Sequence, residues 1–159
     1  MREDRAEFQD FLSLSATITG FTAFRLRGTG QAEPYFAALI DILGEATVAA
    51  LLRAFRWVEA EAGADEAALD RLLRAAIFGD EQLGPIARNL IKLWYVGTWY
   101  QLPAVWREVF GELEKDTTVV VSPAAYTEGL LWPAIGANPA GAKGPGYGTW
   151  GAPPRIPEV

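Results

Sequence analysis

Residues 81–101 read EQLGPIARNLIKLWYVGTWYQ, with Leu83, Ile86, Ala87, Leu90, Ile91 and Trp94 recurring at three- and four-residue spacing. That period winds apolar side chains onto one face of an α-helix. Trp99 continues the pattern, so the spacing predicts a helix over 81–101 whose polar stripe is only Arg88, Asn89 and Lys92. A helix this apolar has to be surrounded by others, which predicts an all-α helical bundle with this helix at its centre. Gly97 inside a helix costs about 1 kcal/mol relative to Ala, so its presence predicts a close approach by another helix.

The flanking sequence repeats the same period. Phe8, Phe11, Leu12, Ser15 and Ile18 share one face of a helix over 4–18, stopped by Gly20 as a left-handed cap with Phe21 as its apolar follower. A turn at 28–30 leads to a short helix over 34–43 carrying Phe36, Leu39, Ile40 and Leu43. After Gly44 a helix to about 62 places Val48, Leu51, Leu52, Phe55 and Val58 inward and Arg53, Arg56 and Glu59 outward. Asp65 caps a helix over 66–78 with Leu69, Leu72, Leu73, Ala76 and Ile77, which Gly79 ends. The β-branched run 117–121 reads as an extended segment docked on the bundle. Ser122 as cap and Pro123 at the first helical position predict a last short helix closing at the Trp132–Pro133 step.

Composition bounds what such a bundle can do. With 159 residues the chain forms one domain and buries roughly two-thirds of its surface without a staple. Its net charge of −6 is the wrong sign for phosphate backbones, so no nucleic-acid partner is expected. The chain has no Cys and no His, which removes thiol nucleophiles, Ser–His triads, thiolate zinc sites and imidazole haem ligands. Oxygen-only metal sites and acid–base chemistry by Tyr, carboxylates, Lys or Arg remain. The first twenty residues carry acids throughout and do not read as a signal peptide, and no apolar run nears membrane-spanning length. A soluble, cytoplasmic chain without membrane insertion is expected, unless it is co-exported to the periplasm with a partner.

The composition changes near residue 132. Residues 133–159 are dense in Pro and Gly, carry only Lys143, Arg155 and Glu158 as charges, and keep Ile135, Tyr147, Trp150 and Ile156. Pro excludes a helix or central strand there. The organisation expected is a helical domain over 1–132 and an irregular arm over 133–159 built to lie on its own body or on another protein. The Gly-rich run 141–148 fits neither the P-loop nor the dinucleotide fingerprint. Glu59, Glu61, Asp65 and Glu66 lack the alternation of an EF-hand and read as a solvated helix end.

FLSLSATITGF at 11–21, IARNLIKLWYVGTWY at 86–100 and VVSPAAYTEGLLWPAIGANPAGAKGPGYGTWGAPP at 120–154 resemble the small subunit of bacterial flavin-dependent sugar and polyol dehydrogenases, the membrane-bound D-sorbitol dehydrogenase small-subunit family. The resemblance covers both ends and the 81–101 helix in the same order. It implies a non-catalytic accessory subunit that binds and stabilises a larger glucose-methanol-choline-type oxidoreductase. FAD would reside in that large subunit, with no cofactor in this chain, and a multihaem cytochrome c subunit often completes such complexes.

The residues expected at the partner interface are Tyr126, Glu128, Trp132, Tyr147 and Trp150, with Trp99 and Tyr100 from the helix end. Aromatic rings stack equally well in a core, and Trp94 is read as core. The competing reading, a stand-alone enzyme, would use Tyr126 and Glu128 as a proton-transfer pair. Positions two apart on a helix face different sides, and Glu128 would then cap a backbone or pair with Arg88 or Lys92. A generic interaction adaptor is the other alternative.

Overall fold

A computed structural model describes residues 2–142. Six helices come first along the chain: α1 (Arg2–Thr19), α2 (Ala23–Gly28), α3 (Ala32–Leu43), α4 (Glu45–Ala62), α5 (Glu66–Leu73) and α6 (Leu83–Val96). Two-residue strands β1 (Thr98–Trp99) and β2 (Val119–Val120) flank α7 (Ala104–Phe110), and a single turn, α8 (Leu131–Ala134), follows. The all-α class expected from the periodicity is the class observed.

The helices are where their apolar spacing puts them. Phe11, Leu12 and Leu14 of α1 are buried against α3, α4 and α6, and Val48, Leu51, Leu52, Phe55 and Val58 of α4 are all buried. Each such side chain removed from water contributes roughly 1.5–3 kcal/mol. The core is therefore shared by α1, α4 and α6 instead of centred on α6 alone. Gly44 joins α3 to α4 in one residue: at φ +80° its N–H donates to Ile40 O and its carbonyl accepts from Val48, and the axes bend by 118°. No single helix among the described residues is long and apolar enough to cross a membrane.

Several boundaries differ from expectation for physical reasons. The helix predicted over 66–78 starts at its Asp65 cap, whose carboxylate accepts from Ala68 N–H at 3.0 Å, but continues after Leu73 as a π-turn over Arg74–Phe78. Gly79 N–H then reaches Arg74 O, five residues back, at 2.8 Å. The helix predicted over 81–101 stops at Val96, because Gly97 adopts the left-handed φ of +71° and caps it. Gly97 does permit a close approach, but by Ala125 and not by a helix: an added Cβ would lie 2.5 Å from the Ala125 backbone. Released from the helix, Thr98–Trp99 pairs antiparallel with Val119–Val120, so the β-branched run is extended and docked as its composition predicts.

The helix predicted over 122–132 is absent. Residues 123–128 form successive turns, Ser122 Oγ donates to Gln31 at the N-terminus of α3, and Leu130 N–H donates to Trp94 O at 3.0 Å. Those tertiary bonds take the groups that a local helix would have used. The one helical turn nearby, α8, runs through the Trp132–Pro133 step, which is tolerated because a first-turn residue has no intrahelical N–H bond to lose. Helix α7 went unread in the sequence; Trp106 is buried with its indole N–H on Gln82 O, while Val105 and Val109 face outward. Within the described part of the 133–159 arm, Ala137 N–H donates to Trp132 O and Pro139 is buried on the body.

Candidate functional site

A groove of about 620 Å³ opens between α2 and the 127–139 segment. Its first wall exists because Thr22 Oγ accepts from Arg25 N–H at 3.2 Å and starts α2 immediately after the Gly20 stop. Leu26 is the buried anchor of that helix, so Phe24, Arg25 and Arg27 project outward. Phe24 is 89% exposed, the most exposed large apolar residue described.

The second wall is fastened to α6. Val121 N–H donates to Gly97 O and Leu130 N–H to Trp94 O, and Gly129 sits so close that a Cβ there would meet Tyr95 O at 2.6 Å. Trp132 lies across this wall. Its indole N–H donates to Tyr126 O at 2.7 Å, and its ring meets the Tyr126 ring edge-on at 5.4 Å. Tyr126 remains 41% exposed, and its hydroxyl donates to Ala140 O at 3.3 Å.

Arg25 lines the α2 wall. Arg25 stacks over the Phe21 ring at 5.8 Å and Arg27 donates to Gln9 Oε1 at 2.6 Å; neither is in an ion pair with a carboxylate among the described residues. Glu128 lines the opposite wall. Beneath it, burial pushes the Tyr35 phenol well above its ordinary value, and the Glu128 charge adds to the shift.

Comparison with protein-family models, curated proteins and solved structures finds no match to this chain.

The structure brings Tyr126, Glu128 and Trp132 together at one groove. Trp99 is corrected: it is fully buried with its indole N–H on Asp116, so its ring belongs to the core and not to a surface. Tyr100 is 40% exposed but lies elsewhere, its backbone N–H and C=O both bonded by the Asn89 side chain and its ring under Lys92 Nζ at 5.4 Å. The polar stripe of α6 thus fastens neighbouring backbone, since Arg88 donates to Phe78 O at 2.7 Å. Tyr147 and Trp150 lie outside the described residues. Phe24 and Arg25 were not singled out in the sequence; Thr22, an N-cap residue directly after a helix stop, was the available signal.

Chemically the groove offers flat rings, one basic wall and hydrogen-bonding backbone. No group of three or more carboxylates able to hold a metal stands together among the described residues. The Tyr126 hydroxyl is engaged with a main-chain carbonyl. The arrangement suits binding.

Proposed function

We propose that this chain is a non-catalytic accessory subunit that binds and stabilises a glucose-methanol-choline-type FAD-dependent sugar or polyol dehydrogenase large subunit. The supporting observation is that residues 127–139, within the stretch carrying most of the family resemblance, build one wall of a groove flanked by Tyr126, Trp132 and the bare Phe24 ring. Aromatic residues dominate binding hot spots because each buries roughly 150–250 Å² at a modest rotamer cost. Flavin and substrate chemistry belong to the partner in this reading, and a multihaem cytochrome c subunit would be a further member of the assembly.

The test is to co-express the chain with such a flavoprotein and purify through a tag on this chain. The expected result is a yellow stoichiometric complex whose flavoprotein melts at higher temperature than it does alone, since a ligand selective for the native form stabilises it by mass action. A flavoprotein that neither co-purifies nor changes its melting temperature overturns the proposal.

A further inference from the structure

We propose that the α2 rim of the groove docks a partner segment of one stated chemistry: an apolar core flanked by carboxylates, in which Phe24 enters the apolar core and Arg25 and Arg27 pair with the flanking acids. This rests on the reading of the groove as a partner surface and adds to it the charge of what binds.

Phe24 carries the first half of the argument. A phenylalanine left 89% exposed forgoes burial that a covering surface would recover. The ring stands on the rim beside the groove entrance, in the first turn of α2, while Leu26 of the same helix is already buried. A small molecule confined to the groove would leave most of that ring in water. A protein segment laid along the rim covers it.

The charges carry the second half. In a chain of net charge −6, the short helix α2 that carries Phe24 also carries Arg25, which lines the groove, and Arg27, one turn on from Phe24, and neither is in an ion pair among the described residues. Each is already positioned, Arg25 by the Phe21 ring and Arg27 by Gln9, so little side-chain freedom is lost when a carboxylate arrives. Arginine beside an exposed aromatic is the composition of an interface hot spot. An occupant is therefore expected to bring its acidic groups to the α2 rim.

Two probes test this on the full chain. The first is a labelled peptide with a leucine–tryptophan core flanked by glutamates, compared with its lysine counterpart by fluorescence anisotropy. The glutamate peptide should bind at least about tenfold more tightly, Phe24→Ala should weaken it about tenfold, and the double change R25E/R27E should reverse the preference. Raising salt from about 50 to about 500 mM should weaken it severalfold. Helical circular dichroism checks that each variant is folded. Equal affinities for the two peptides, binding of neither, or insensitivity to Phe24→Ala overturns the inference.

The second probe is the flavoprotein. If it binds and its affinity stays within about twofold in both variants, the α2 inference falls while the accessory-subunit reading stands. If it does not bind but the glutamate peptide behaves as described, the accessory-subunit reading falls and the docking chemistry stands.

Discussion

The indole N–H of Trp99 donates to the carboxylate of Asp116 at 2.8 Å, and both residues are buried. The same carboxylate accepts from Leu102 N–H, so one side chain fastens the chain on both sides of the β1 exit. Asp116→Ala should destabilise the protein by roughly 3 kcal/mol, because it strands two buried donors at once. Urea denaturation monitored by tryptophan fluorescence measures it; a loss under about 1 kcal/mol would show that the loop re-forms without this carboxylate.

Gly97→Ala should be far worse than Gly30→Ala. Both glycines have positive φ, +71° and +67°, which costs a side chain about 1–2 kcal/mol. Only Gly97 also faces a wall, with Ala125 backbone atoms 2.5 Å from an ideal Cβ, whereas Gly30 has open space. Gly30→Ala should therefore lose about 1 kcal/mol and Gly97→Ala more than about 2. Similar thermal shifts for the two variants would contradict the close approach.

Ser15 Oγ is buried and has no hydrogen-bond partner among the described residues. Ser15→Ala removes a desolvated hydroxyl without opening a cavity and should stabilise the protein by about 1 kcal/mol. A higher urea midpoint at unchanged slope is the expected readout, and a lower midpoint counts against it.

Tyr35 gives an alkaline dependence. Burial raises its folded-state pKa above the ordinary phenol value of about 10, so the unfolded chain loses that proton first. Its contribution is complete below about pH 10 and is lost as pH rises above that, at up to 1.36 kcal/mol per unit. Tyr35→Phe, which also deletes an unpartnered buried hydroxyl, should lose less stability than wild type between about pH 9.5 and 11. Parallel stability curves for the two proteins would argue that Tyr35 does not hold its proton.

Trp132 and Trp99 should behave oppositely. Trp132→Ala removes a half-buried ring from the groove wall and should weaken flavoprotein association by roughly 2 kcal/mol while leaving a folded monomer. Trp99→Ala opens the core and should cost about 3–5 kcal/mol of stability. Calorimetric binding and melting of the isolated chains separate the two effects.

The apolar faces were readable because burial imposes a period. Val48, Leu51, Leu52, Phe55 and Val58 are all inside, and Asp65 caps the helix it precedes. What misled was chemistry with two local meanings. Gly97 reads equally as an interior glycine or as a left-handed cap, and only the strand after it decides. Ser122–Pro123 is a sound helix start, yet bonds to Gln31 and Trp94, far away in the chain, outcompete it. Helix α7 hides because Val105 and Val109 face water while Trp106 alone is deeply buried, which inverts the usual pattern. Of the groove, the sequence indicated Tyr126, Glu128 and Trp132 but not Phe24, since no local pattern distinguishes an exposed ring from a buried one.

The two walls of the groove differ in how they can open. The α2 wall is anchored on α1 by the buried Leu26, whereas the opposite wall hangs from α6 through the amides of Val121 and Leu130 and the short ladder beside them. Such a segment can detach as a sub-global unit while the helical body persists, and its amide protons then exchange with solvent at a free energy below that of whole-chain unfolding. Occupying the groove would hold that wall shut, so exchange at Val121 and Leu130 should slow in proportion to ligand saturation while exchange in the middle of α4 stays unchanged.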